Sequence, residues 1–162
     1  MPMSPALIRR ALLALTAIGV LGAAFELTTE QHWKSAEQLI PWGALAFLGV
    51  AVLLMLVKDS LRLAAAVRLI ALAVLVASAF GVYAHVAANY DAGPLDQRYA
   101  TTWDALSAVT RWWYALTKAV GPAPPLAPGM LGQSALMLLL ATLLRHRPTA
   151  NDAVQGDPAL QA

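Results

Sequence analysis

The sequence predicts an all-α integral membrane protein with four transmembrane helices and one amphipathic interfacial helix on the outer face. Three observations lead to this prediction: four apolar stretches long enough to cross a bilayer, basic residues gathered on one set of connections, and every Trp and Tyr gathered on the other. The 162 residues are 59% hydrophobic and 12% charged, whereas a soluble domain is about 25% charged. The apolar surplus indicates side chains that face lipid.

The four crossings are predicted over residues 7–26, 39–57, 66–90 and 127–144. A bilayer core of about 30 Å needs about 20 predominantly apolar residues in a helix. The first stretch reaches that length if Arg9 and Arg10 extend to the headgroups. Residues 1–147 then form the membrane domain, and the polar residues 148–162 form a flexible cytoplasmic tail.

The first stretch has a second interpretation. Arg9 and Arg10, the apolar run after them and the small residues 22–24 resemble a cleavable signal peptide,. Glu26, just after the small residues, keeps that alternative open.

The distribution of Lys and Arg predicts the orientation, because cytoplasmic connections carry the excess of positive charge. The N-terminus, the connection between the second and third crossings and the C-terminus carry Arg9, Arg10, Lys58, Arg62, Arg68, Arg145 and Arg147. The other two connections carry Lys34, Arg98, Arg111 and Lys118. Both termini are therefore expected in the cytoplasm, with Arg9, Arg10, Lys58, Arg62, Arg145 and Arg147 as inner anchors.

The connection before the fourth crossing contains a helix predicted over residues 102–120. Thr101 and Asp104 have the spacing of a capping box. On a helical wheel, one face gathers apolar and aromatic side chains and the opposite face gathers polar ones,. Three charged residues would each cost a few kcal/mol near mid-membrane, so the helix is placed in the outer headgroup region or over the bundle.

An outer surface rich in aromatic residues is the strongest functional feature of the sequence. It is expected to comprise Trp33, Trp42, Trp103, Trp112, Trp113 and Tyr114. Aromatic belts usually occur at both interfaces. The one-sided set reflects either the greater length of outer connecting sequence or a packed aromatic layer with a role in binding.

His85 is the best single candidate for chemistry, because an ionisable group inside a crossing is a functional candidate by default. Ala77 and Gly81 precede it at four-residue steps, and small residues at that spacing let helices approach closely. His85 is therefore expected to point into the bundle, with Asn89 one turn beyond it. The alternative is a structural histidine that ties two helices together.

A metal site at the outer interface is a further hypothesis, since imidazole and carboxylate groups are metal ligands. The candidate set is His85, Asn89, His32, Glu26, Glu30 and Asp91. The alternative is that these groups are solvated or paired with Lys34 and Arg98. A haem held by His32 and His85 is less favoured, because His32 is not within a crossing.

The remaining polar groups in the crossings predict packing more than catalysis. Gln133 and Ser134 are expected to hydrogen-bond a neighbouring helix. No acidic residue lies in the middle of a crossing, nucleophile and phosphate-loop motifs are absent, and the chain has no cysteine,. An enzyme is therefore the least favoured class.

The first function hypothesis is a non-enzymatic accessory or interaction subunit of a bacterial inner membrane, acting through the aromatic outer face. Its partner would be a larger membrane complex or another copy of the chain. The second is a protein that binds a metal, haem or lipophilic ligand near the outer interface through His85. The third is a small transporter with a polar path at Gln133 and Ser134. No cofactor is required by the sequence, and no nucleic-acid partner is expected, because basic runs are absent,.

Overall fold

The computed structural model describes residues 4–58 and 60–144, which form five α-helices and no strand. The helices are α1 (Pro5–Thr29), α2 (Ala36–Val57), α3 (Leu61–Ala92), α4 (Ala108–Leu116) and α5 (Gly129–Leu143). Short 3₁₀ turns lie at Gly93–Leu95 and Trp103–Ala105. The predicted anchors Arg145 and Arg147 and the predicted tail lie outside the described residues.

Serine residues set where the first four helices begin. In each case the serine hydroxyl accepts a hydrogen bond from the backbone N–H three residues later, which satisfies one of the free donors of a helix N-terminus. The four serines are Ser4, Ser35, Ser60 and Ser107. The third helix therefore begins before its predicted start and includes two arginines in its first turns.

Three helices, α1, α2 and α3, are long and apolar enough to cross a membrane. Large apolar side chains such as Phe47, Leu53 and Val76 are exposed along them, as expected for a surface that faces lipid. The fourth predicted crossing is shorter, since the 15 residues of α5 give a helix of about 22 Å.

The helices pack as a bundle in which α5 lies between α1 and α3, and α2 lies against α3 and α1. The core contains Leu13, Leu48, Val67, Ala71 and Leu138. Small residues bring the backbones close together: a Cβ on Gly19 would lie 2.5 Å from Ser134 Oγ, and one on Gly81 would lie 2.8 Å from Pro128 Cβ.

The four residues predicted to pack between helices have different environments. Gly81 and Ser134 lie at the close contacts just described. Ala77 lines a groove between α2 and α3. Gln133 is exposed, so it does not provide the expected link to a neighbouring helix.

The bundle has two chemically different ends. At one end α1 and α3 finish and α2 and α5 begin, and all five Trp residues lie there; we call it the aromatic end. At the opposite end lie Arg9, Arg10, Lys58, Arg62 and Arg68; we call it the basic end. The Trp residues thus occupy one end, whereas basic residues lie at both, with five of the nine in residues 4–58 and 60–144 at the basic end.

The helix predicted over residues 102–120 is shorter in the structure. The backbone is extended at Leu106 and Ser107, and Ser107 instead of Thr101 caps the helix. After Leu116 the chain turns at Lys118, whose φ is 57°, and at Gly121, whose φ is 76°. These left-handed residues end α4 and start the proline-rich connector to α5.

Candidate functional site

Two histidines meet at the aromatic end, where the α1–α2 connection approaches the last turns of α3. The ring centroids of His32 and His85 lie 6.4 Å apart. The sequence predicts that both histidines belong to one outer region. The distance between their rings shows that the two side chains are neighbours.

The backbone of His32 is fixed on both sides of the residue. Gln31 has a φ of 50°, which turns the chain sharply after α1. The His32 N–H then donates to Leu27 O over 2.9 Å. Its carbonyl accepts a 2.8 Å hydrogen bond from Trp42 Nε1. The hydrogen bonds therefore fix the position of the His32 backbone between α1 and α2.

The ring of His85 is oriented by the connector between α4 and α5. His85 Nδ1 lies 2.8 Å from Pro124 O. A carbonyl oxygen can only accept, so Nδ1 carries the hydrogen of this bond. Nε2 of the neutral ring is then left with a lone pair. His85 is half-buried, and its ring contacts the connector.

The environment of His32 favours its neutral form. Partial burial lowers the pKa of His32 below its ordinary value, and the nearby His85 lowers it further, while Glu30 opposes both effects. Burial disfavours a charged imidazole because the apolar surroundings solvate it poorly. The neutral ring is the form that accepts hydrogen bonds and binds metal ions.

The carboxylates predicted as ligands do not join the two rings. Glu30 and Asp91 are exposed and Glu26 is half-buried. No group of three or more His, Cys, Asp or Glu side chains is placed to hold a metal ion within residues 4–58 and 60–144. The structure thus brings together two of the six candidates.

Asn89 has a structural role that the sequence did not predict. Its side chain is fully buried. The amide nitrogen donates to Ala115 O (3.1 Å) and Ala123 O (2.8 Å), and the amide oxygen accepts from the Ala123 N–H (2.9 Å). Asn89 therefore fastens the end of α4 and the connector to α3, and these bonds occupy the groups that a ligand would need.

The predicted aromatic surface divides into a buried and an exposed part. Trp103 is 2% exposed and belongs to a small core with Val86, Ala115 and Val120. Tyr114 packs against that core. Trp42 is half-buried and holds His32. These three side chains are structural.

The exposed part comprises Trp33 and a stripe on α4. Val109, Trp112, Trp113 and Leu116 follow the i, i+3, i+4, i+7 spacing of one helix face, and all four are exposed. We call them the α4 stripe. The opposite face of α4, with Ala115 fully buried, packs toward α3. Val109, Trp113 and Leu116 are thus exposed on the surface of α4, while the partly exposed Trp112 also contacts α3.

The α4 stripe rests on a layer of aromatic rings from α3. Trp112 packs against Tyr90 at a centroid distance of 4.7 Å and stacks on Tyr83 at 6.5 Å. The guanidinium of Arg111 lies 5.6 Å from the centroid of the Tyr90 ring, within the range of a cation–π contact. The stripe is thus held on a rigid support.

Two open, largely apolar grooves are found in the described part of the chain. One, of about 540 Å³, borders the α4 stripe at Trp113 and Leu116 and continues along residues 124–127 of the connector. The other, of about 440 Å³, lies between α2 and α3. Neither is lined by Gln133 or Ser134, so neither supports the polar path expected of a transporter.

No protein-family model matches the chain, and no curated protein or solved structure is significantly similar to it. The geometry of the two histidines and of the α4 stripe is therefore the basis for proposing a function.

Proposed function

We propose that the protein is a four-crossing, non-enzymatic accessory subunit of a bacterial cytoplasmic membrane, which binds a membrane-protein partner through the α4 stripe. The exposure of this Trp-rich stripe is the single observation that carries the proposal. The partner is a larger membrane complex or a second copy of this chain.

The fourth crossing in this proposal is α5. Its buried residues include Leu131, Ser134, Leu138 and Ala141, so much of its surface contacts protein and not lipid. At about 22 Å it is shorter than the hydrocarbon core, and a short crossing can be accommodated by local thinning of the bilayer. The basic end also supplies Arg68, which donates to Thr142 O and Oγ1 at the last turn of α5.

The proposed orientation places the basic end in the cytoplasm and the aromatic end outside. Lys and Arg accumulate on the cytoplasmic side of membrane proteins. The described basic residues at the basic end include Arg9, Arg10 and Arg62, and this distribution supports an even number of crossings with both termini inside.

The α4 stripe is well suited to binding because it is apolar, aromatic and supported from below. Large exposed apolar patches mark contact sites for proteins or membranes. Trp is over-represented among the residues that dominate the energy of protein interfaces. The contacts of Trp112 with Tyr83 and Tyr90 reduce the entropy that this indole would lose on binding,. A membrane-protein surface of apolar side chains is the complementary partner.

A photo-cross-linking experiment separates a protein partner from lipid. Trp113 and Phe47 are each 60% exposed, and Phe47 lies on the lipid-facing surface of α2. A benzophenone amino acid is placed at one position or the other in cells, membranes are irradiated, and adducts are identified by mass spectrometry.

We expect a discrete protein adduct from position 113 and lipid adducts alone from position 47. An adduct with a second copy of the chain would identify a homo-oligomer. Lipid adducts alone from both positions would overturn the proposal, because the α4 stripe would then be a membrane anchor.

A further inference from the structure

We propose that His32 and His85 form a two-histidine binding site for a divalent transition-metal ion of the Zn²⁺, Cu²⁺ or Ni²⁺ class. The site lies apart from the α4 stripe and goes beyond the proposed binding function. Its basis is the meeting of two imidazole rings whose surroundings are built by three different segments of the chain.

The distance between the rings is within reach of a shared ion. Metal–nitrogen bonds of about 2.0–2.1 Å place two ring centroids about 5.2 Å apart at the tetrahedral angle and about 6.4 Å apart on opposite sides of the ion. The observed 6.4 Å lies at the upper limit of this range. A tetrahedral ion requires the rings to approach by about 1 Å, which a small change of side-chain rotamer provides.

His85 is prepared as a ligand by its bond to Pro124 O. Metal-binding histidines usually donate the N–H of their other ring nitrogen to a carboxylate or backbone carbonyl, which fixes the tautomer and the ring orientation. The Nδ1 bond of His85 has this form. It leaves Nε2 as the coordinating atom.

His32 supplies the adjustable half of the site. Its backbone is held by Leu27 and Trp42, while its ring makes no hydrogen bond to any part of the chain that the structure describes. Nε2 of His85 is without a protein partner in the same residues. Hydrogen bonds within the fold therefore occupy the His32 backbone and His85 Nδ1. The ring nitrogens that would bind an ion are not occupied by any of the described residues.

The ligand chemistry selects the class of ion. Imidazole nitrogen suits Zn²⁺, Cu²⁺ and Ni²⁺, whereas Ca²⁺ and Mg²⁺ require a shell of oxygen ligands. With two protein ligands, water completes the coordination. The affinity is therefore expected to be lower than that of a closed structural site, and the ion remains exchangeable.

Copper binding to the purified full-length chain tests the site. The protein carries an affinity tag without histidine, is treated with chelator and is titrated with Cu²⁺ in detergent. We expect one ion per chain and an electron paramagnetic resonance spectrum with hyperfine coupling to two imidazole nitrogens. Zn²⁺ in large excess should displace the copper, since an imidazole site binds Cu²⁺ more tightly than Zn²⁺.

Three variants make the result specific. His32→Ala and His85→Gln should each weaken binding at least about tenfold. Removing a residue that only hydrogen-bonds a metal ligand already costs about 10–100-fold in affinity, and loss of a ligand should cost no less. Each variant should also show hyperfine coupling to one imidazole nitrogen instead of two. His146→Ala is the matched control, and its binding should equal that of the wild type. Far-ultraviolet circular dichroism checks the fold of every variant.

Two outcomes would overturn the inference. One is the absence of stoichiometric binding to the wild type. The other is unchanged binding in the double variant of His32 and His85, which would assign the ion elsewhere. His32→Ala removes no hydrogen bond to residues 4–58 and 60–144, so a loss of binding in a variant with an unchanged circular dichroism spectrum is due to the missing ligand. The α4 stripe is untouched, so this test fails or succeeds independently of partner binding.

Discussion

The two ends of the bundle hold the chain by different chemistry. At the basic end, arginine side chains reach backbone carbonyls: Arg9 donates to Met55 O, and Arg68 donates to Thr142 O at the end of α5. At the aromatic end, Arg98 likewise donates to Ala119 O, but uncharged side chains make most of the bonds to the backbone. Trp42 binds His32 O, and Asn89 binds two carbonyls and one N–H.

The difference follows from the backbone structure that the side chains hold at each end. The basic end closes regular helices, whose last carbonyls attract cations. The aromatic end holds a connection and a proline-rich segment, whose irregular backbone has no helical partners. A buried amide supplies both a donor and an acceptor there, which an arginine cannot do. The aromatic end therefore depends on a few individual side chains.

Asn89→Ala should destabilise the aromatic end, with the largest effect on the free energy of unfolding among the substitutions proposed. Three backbone groups around a fully buried side chain would lose their partners, and the free energy of unfolding should fall by about 3 kcal/mol or more. Reversible unfolding in detergent, followed by circular dichroism, measures it. Gln97→Ala, at an exposed position nearby, should change stability little. A loss below about 1 kcal/mol for Asn89→Ala would contradict the assigned role.

Gly121→Ala tests the same contact from the other side. Gly121 has a φ of 76°, and an added Cβ would overlap the Asn89 side chain. We expect a loss of about 2 kcal/mol from backbone strain and the displaced amide. Gly22→Ala is the control, since a Cβ there meets nothing within 4 Å. That substitution, within α1, should leave stability unchanged or raise it by up to about 1 kcal/mol.

Arg68→Met should weaken the basic end by a smaller amount. The substitution removes two hydrogen bonds to Thr142 but keeps most of the apolar stem, so we expect a loss of about 1–2 kcal/mol. Arg62→Met, on an exposed position of the same helix, serves as the control and should be nearly neutral. If Arg68→Met were as damaging as Asn89→Ala in the same unfolding assay, the contrast between the two ends would be lost.

The smallest expected effect is the titration of His32. Its pKa should lie below the ordinary value of about 6.5, because of burial first and His85 second. His85→Gln should move the pKa of His32 upward, and nuclear magnetic resonance of labelled histidine measures both values. A pKa of His32 at or above 6.5 in the wild type would contradict the structure.

The same shift has a consequence for stability. A lowered pKa in the folded state means that the unfolded chain binds the proton more readily, so stability falls as the pH drops below about 6.5. The change is modest, since the His32 ring is only partly buried. In His32→Ala this part of the pH dependence should be absent, while the rest of the profile is retained.

Several features of the fold could be predicted from the sequence. The apolar stretches become α1, α2 and α3, and all Trp residues lie at one end of the bundle, because length and residue patterns report directly on individual segments. The pairing of His32 with His85 also follows from topology. An even alternation of helices brings the end of α1 and the end of α3 to the same side.

Other features depend on contacts that leave no mark in the sequence. The partners of Asn89 are the backbone groups of Ala115 and Ala123, whose side chains carry no signal. The apolar periodicity of α4 predicts a stripe but not the direction in which it faces. Trp103 and Trp113 look alike in the sequence, yet one is buried with Val86, Ala115 and Val120 and the other is exposed, because distant parts of the chain surround only the first.

The contact between Gly19 on α1 and Ser134 on α5 joins two helices that are far apart in the chain. A ribosome adds roughly 5–20 residues per second, so several seconds separate the synthesis of α1 from that of α5. Helices of membrane proteins insert first and associate afterwards. The contact between α1 and α5 therefore forms only after α5 has been made, and a chain truncated before α5 would leave the crevice along α1 open to other helices.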